Sequence, residues 1–74
     1  MMNIYAKEGD RVRCISLNEA SMRWGSNDDP RGRLELGKVY TVDFTEVHSW
    51  HTKVYLKEFP DFKFSSAHFE DDDA

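Results

Sequence analysis

The sequence has almost none of the features that disulfide-bonded, zinc-binding or membrane-spanning proteins need. Of its 74 residues one is a cysteine, Cys14, which excludes an intramolecular disulfide and a cysteine-rich zinc site. No apolar run approaches the ~20 residues that a transmembrane helix requires. The N-terminal residues mix polar and acidic side chains where a signal peptide would carry an apolar stretch. We therefore expect a soluble cytoplasmic protein that does not enter a membrane.

Clustered positive charge is also scarce. Ten Lys and Arg residues stand against 14 Asp and Glu residues, for a net charge of −4. Residues 1–38 carry seven basic and six acidic side chains (+1), whereas residues 39–74 carry three basic and eight acidic ones (−5). Because nucleic-acid binding depends on clustered Lys and Arg, this balance disfavours a strongly basic nucleic-acid binder.

Aromatic residues are plentiful for so short a chain. Two Trp, three Tyr and five Phe make up 14% of the sequence. Each ring can bury ~150–250 Å², so a few of them can build a core, and the chain is unlike an intrinsically disordered one. The length is enough for one domain. We predict a single domain over residues 1–70 and an acidic flexible tail over residues 71–74.

The hydrophobic pattern predicts short β-strands. Apolar residues alternate with polar ones near positions 12–14, 40–44, 54–56 and 62–64, which is typical of strands with one buried face. This alternation places Phe44 on the inward face. Phe59-Pro60-Asp61 is predicted to be a turn because proline removes a backbone donor. A single 3₁₀ turn near residues 65–69 would place Phe69 on the core.

Residues 18–33 interrupt this pattern. They combine Gly and Pro with small polar residues and show no periodicity. An irregular stretch of this length is unusual in a compact domain and is often functional. The prediction is therefore a small all-β antiparallel barrel or sandwich of four to five strands with a long first loop and no crossover helix.

Four segments of the sequence carry a resemblance to a known class of barrels. Residues 9–15, 36–42, 53–56 and 64–70 resemble the SH3-like β-barrel pattern, and more narrowly the small barrels encoded by bacteriophages and prophages. The similarity covers about residues 9–70. It implies an SH3-like fold and a phage or prophage setting, and it implies no catalytic residue.

Residues that could carry chemistry do not form a catalytic or metal-binding pattern. No nucleophile motif, phosphate-binding glycine loop or zinc-ligand spacing is present. Cys14 is expected to be buried and inert, and His48, His51 and His68 to be solvated or capping residues. We expect no enzyme activity, no cofactor and no metal.

The chain is better suited to binding another protein, and a host protein is the partner that the resemblance suggests. Trp and Arg are enriched at the energetic centres of interfaces. The predicted contact residues lie in the long loop, in the hairpin tip and on the outward face of a strand: Arg23, Trp24, Arg31, Arg33, Trp50 and Tyr55. An equal alternative is that Trp24 and Trp50 fold onto the core and that Tyr55 pairs across strands.

Three further hypotheses stay open. The arginines and Trp24 could stack a base and neutralise phosphates in a weak nucleic-acid-binding barrel. The acidic half, including Asp43, Glu46 and residues 71–73, could mimic nucleic acid and inhibit a host or defence enzyme. An exposed barrel edge could also pair with a second copy into a homodimer.

Overall fold

The protein is an all-β fold built from one antiparallel sheet, as the alternation predicts. The computed structural model describes residues 2–18, 27–49 and 51–72. The strands are β1 (Arg11–Cys14), β2 (Val39–Val47), β3 (Thr52–Leu56), β4 (Phe59–Ser65) and β5 (Phe69–Asp71). Their order in the sheet is β4-β3-β2-β1-β5. The predicted 3₁₀ turn is confirmed at Ser66–His68, between β4 and β5, and it is the one helical element in the described part of the chain.

The sheet curls around a single core. β4 and β5 stand at opposite ends of the strand order, yet the rings of Phe64 and Phe69 are in edge contact with centroids 6.5 Å apart. A flat sheet would hold its two outer strands far apart, because neighbouring strands are ~4.8 Å apart. The core cluster consists of Met2, Ala6, Val12, Cys14, Leu34, Tyr40, Val42, Val54, Leu56, Phe64 and Phe69.

A β-bulge in β2 overturns the predicted inward position of Phe44. Val42 pairs with Leu56, but the next partners are Phe44 and Tyr55, so β2 contains one more residue than β3 over this stretch. Side chains alternate with a strict period of two, so one extra residue exchanges the faces beyond it. Phe44 is consequently 49% exposed, and Thr45 turns towards the inside.

The predicted turn at Phe59-Pro60-Asp61 is also wrong, because these residues open β4. Leu56 pairs with Phe59, which leaves Lys57 and Glu58 as the two residues of the hairpin turn. Proline is accommodated because β4 is an edge strand of the described sheet, where a missing donor can face away from the ladder.

The sheet continues past the predicted domain boundary at residue 70. Asp71 belongs to β5 and pairs with Val12. The Asp72 carboxylate accepts a 2.8 Å hydrogen bond from Arg13, and the Asp72 amide donates to the Arg11 carbonyl. The expected flexible tail therefore does not include Asp71 or Asp72, and residues 73–74 lie outside the described residues.

The N-terminal segment is hydrogen-bonded to the edge strand β5 and to the interior strand β2. The Met2 amide donates to the Phe69 carbonyl of β5 at 3.0 Å. The Thr45 hydroxyl, which the bulge turns inward, donates to the Ile4 carbonyl at 2.8 Å. On the other edge strand, the Asp28 amide donates to the Lys63 carbonyl at 2.8 Å. Part of each outer edge is thus bonded to the protein's own chain, and a homodimer through such an edge stays a prediction.

Candidate interaction surface

The structure describes three of the six predicted contact residues. Arg31 and Arg33 lie in the loop before β2, and Tyr55 lies in β3. Arg23, Trp24 and Trp50 lie outside the described residues, so their predicted roles stay predictions.

Arg31 and Arg33 are engaged within their own loop. The Arg31 guanidinium is 2.8 Å from the Asp29 carboxylate and bonds it through a second nitrogen at 3.1 Å. These hydrogen bonds from Arg31 hold the pKa of Asp29 well below its usual range, at about 2. The Arg33 guanidinium lies over the Phe62 ring at 4.2 Å from its centroid and donates to the Asp29 carbonyl. These contacts shape the loop, and they leave less arginine charge for phosphates than the sequence suggests.

Tyr55 is half of a stacked aromatic pair on the outer face of the sheet. Its ring lies 4.2 Å from the Phe44 ring with an angle of 13° between the planes. This confirms that Tyr55 pairs across strands, and its partner is the phenylalanine that the bulge turned outward. Tyr55 covers one face of the Phe44 ring. Phe44 is 49% exposed, so a large part of the surface that Tyr55 does not cover meets solvent.

Two carboxylates flank this pair. Glu46 follows Phe44 by two residues on the exposed side of β2, and Asp28 approaches from the loop that runs along β4. Burial raises the pKa of Tyr55 above its ordinary value, and the negative charges of Glu46 and Asp28 raise it further. Phe44 and Tyr55, with Glu46 and Asp28, form what we call the outer aromatic patch.

The histidines of the β2–β3 tip extend the patch without forming a metal site. His48 Nε2 lies 2.6 Å from the Glu46 carboxylate, and the His48 and His51 rings stack with centroids 4.5 Å apart. Stacked rings do not direct their nitrogen lone pairs at a common point. Among the described residues, no group of three or more His, Cys, Asp or Glu side chains is arranged to hold a metal ion.

His68 is buried, contrary to the expectation of a solvated or capping residue. Its side chain is fully enclosed, with Nδ1 3.0 Å from the Ser16 carbonyl and Nε2 without a hydrogen-bond partner. Burial lowers the pKa of this imidazole. Cys14 is buried as predicted, and burial raises the pKa of its thiol, so it is not an activated nucleophile.

A polar cleft of ≈ 200 Å³ lies where β1, β5 and the N-terminal segment meet. Its polar groups are already bonded within the fold, since Asn3 donates to Asp71 at 2.9 Å and Arg13 binds Asp72. The cleft is lined by Asn3, Asp10, Arg11, Asp71 and Asp72. It contains no arrangement of nucleophile and base.

Comparison of the chain with protein-family models, curated proteins and solved structures found no match. Within the described residues, none of the helical structure has the length and apolar character needed to cross a membrane.

Proposed function

We propose that this chain is a non-enzymatic module that binds another protein through the outer aromatic patch. The observation that carries the proposal is the exposed Phe44 ring, stacked on Tyr55 on the outer face of the sheet. A half-exposed aromatic ring fixed by stacking loses little conformational entropy on binding, which is a property of interface anchors.

The proposal keeps the SH3-like assignment and the phage or prophage setting. Five antiparallel strands and the 3₁₀ turn before β5 support the first of these. The second, together with a host protein as partner, rests on the resemblance alone. Arg31 and Arg33 act in this scheme by holding the loop beside the patch, and contact through Arg23, Trp24 and Trp50 stays a prediction from the sequence.

The two charge-based alternatives receive less support from the described contacts. Arg13 is bonded to Asp72, and Arg31 to Asp29, so arginine charge that would neutralise phosphates is already paired. The first of these pairs also engages Asp72, one of the carboxylates of the acidic half that would mimic a phosphate backbone.

The test is affinity capture from a bacterial lysate with matched baits. Phe44→Ser should lose the captured protein, because it removes the anchor from the outer face without opening the core. Leu36→Ser is the control, since Leu36 is 62% exposed but lies in the turn before β2 and is not part of the outer aromatic patch. Capture of the same proteins by the Phe44→Ser bait would refute the proposal.

A further inference from the structure

We infer that the outer aromatic patch recognises an arginine side chain of the partner protein, stacked on Phe44 and hydrogen-bonded to Glu46. This inference rests on the proposed function and names the chemistry of the partner. Its basis is the combination of an open ring face with flanking carboxylates on a chain whose second half is strongly acidic.

The ring pair offers one flat surface to a ligand. Tyr55 occupies one side of Phe44 in a nearly parallel stack, so the free side of Phe44 is a planar apolar platform. Guanidinium groups are planar and weakly hydrated, and they stack on such platforms while donating hydrogen bonds from their edge. A lysine ammonium lacks this planar geometry and keeps its water more tightly.

The charge around the rings is complementary to a cation. The carboxylates of Glu46 and Asp28 are the charges that act on the Tyr55 hydroxyl, and both disfavour its ionisation. Lys53 is paired with Glu46 across β2 and β3, so one basic side chain also lies near the patch. Residues 39–74 nevertheless carry three basic and eight acidic side chains. An acidic surface of this kind steers a basic partner towards the patch.

The same chain already contains an arginine held in this way. Arg33 lies 4.2 Å above the centre of the Phe62 ring, and its Nη1 donates to the Asp29 carbonyl. A ring face beside an oxygen acceptor therefore retains a guanidinium in this fold. The outer aromatic patch presents the same pair of elements, a ring face and a carboxylate. The Glu46 carboxylate already contacts His48 Nε2 at 2.6 Å, so a partner's guanidinium would share this acceptor with the imidazole.

The test uses short peptides as probes and ¹⁵N-labelled protein as the reporter. One peptide carries two arginines between glycines, and its control replaces both arginines with citrulline, which has nearly the same shape and no charge. The arginine peptide should shift the amide signals of residues 44–46 and 53–55 in a saturable way. Citrulline should bind at least about fivefold more weakly, as expected when a cation–π contact and a charged hydrogen bond are lost.

Variants separate the patch from general acidity. Glu46→Gln should weaken the arginine peptide about threefold and reduce the salt dependence of binding. Phe44→Ser should abolish the saturable shifts, and Leu36→Ser should leave them unchanged. Equal binding of the arginine and citrulline peptides would overturn the inference, as would an unchanged affinity of Glu46→Gln. Preferential binding of a single-stranded oligonucleotide at the same amides would overturn it too.

The inference and the proposed function fail in distinguishable ways. If Phe44→Ser loses the captured protein while arginine and citrulline peptides behave alike, the patch binds protein but does not select arginine. If Phe44→Ser captures the same proteins as the unchanged chain, the proposed function fails whatever the peptides do.

Discussion

Seven of the eight aromatic residues that the structure describes form two groups on the same sheet, and the groups differ in packing. The inner rings meet at tilted or edge-on angles in most pairs, with centroids 6.0 to 6.5 Å apart. The outer pair stacks nearly parallel at 4.2 Å and is open to solvent on one side. The inner group consists of Tyr40, Phe59, Phe62, Phe64 and Phe69. One group seals the core, and the other is available to a partner.

What separates the two groups is register. Tyr40 and Phe44 lie on one strand at an even spacing, which should place them on the same face. The bulge between Val42 and Phe44 exchanges the faces, so Tyr40 is buried and Phe44 is not. In this protein the hydrophobicity of an aromatic residue does not decide whether it lies in the core or on the outer face. The register in which its strand pairs decides it.

The largest expected effect compares Phe64 with Phe44. Phe64→Ala should lower the free energy of unfolding by about 3–5 kcal/mol, because it empties a fully buried site that Phe59, Phe62 and Phe69 contact. Phe44→Ala should cost less than about 1 kcal/mol. Urea denaturation followed by circular dichroism measures both.

A domain this small has little stability to lose, so Phe64→Ala could unfold it entirely. Phe64→Leu then keeps the comparison measurable, with a loss of about 1–1.5 kcal/mol expected from the change of shape. Equal destabilisation by the Phe44 and Phe64 substitutions would contradict the assignment of the two groups.

The second prediction concerns buried and exposed histidines. Burial lowers the pKa of His68 in the folded protein below the ordinary value near 6.5. As the pH falls through that value, the unfolded chain takes up a proton that the folded protein resists. The free energy of unfolding should therefore keep its full value above pH ~6.5 and decrease as the pH falls below 6.5.

Urea denaturation at several pH values between 7.5 and 5.5 measures the slope of the free energy of unfolding against pH. His68→Gln should flatten it, because the buried imidazole is gone. His48→Gln removes an exposed ring of the tip and leaves His68 in place, so the slope should persist. A slope that survives in His68→Gln would assign the pH dependence to other groups.

The smallest effect tests the bulge itself. Thr45→Val should cost about 1 kcal/mol, because the Thr45 hydroxyl donates to the Ile4 carbonyl and holds the N-terminal segment. Thr41, before the bulge, is the matched control, and Thr41→Val should change stability by less than about 0.5 kcal/mol. If the two valine variants were equally stable, Thr45 would not serve as the anchor of that segment.

Much of the fold was predictable because local rules govern it. Alternation identified the inward residues Val12, Cys14, Tyr40, Val42, Val54, Leu56 and Phe64, all of which are buried. Gly37 marks a tight turn before β2, and its φ of 82° is a conformation that glycine adopts without strain. The 3₁₀ turn before Phe69 was also predicted, and Phe69 is fully buried.

The candidate site was only partly predictable. Tyr55 was identified from its outward parity between two lysines, but Phe44 was assigned to the core. Nothing in the sequence between Val42 and Phe44 marks a bulge, since neither glycine nor proline is present there. Nothing in the sequence around Asp28 indicates that its hydrogen bonds to Lys63 bring it beside Tyr55.

Residue types and their spacing alone determined that this chain forms short antiparallel strands, carries an acidic second half and contains enough aromatic surface to close a small core. These properties follow from nearest neighbours along the chain. Tertiary structure decided that Phe44 faces solvent, that His68 is enclosed and that Asp72 is bound to Arg13. Each of these positions depends on which segments of the chain are paired with one another. That pairing is settled only when the whole sheet has formed.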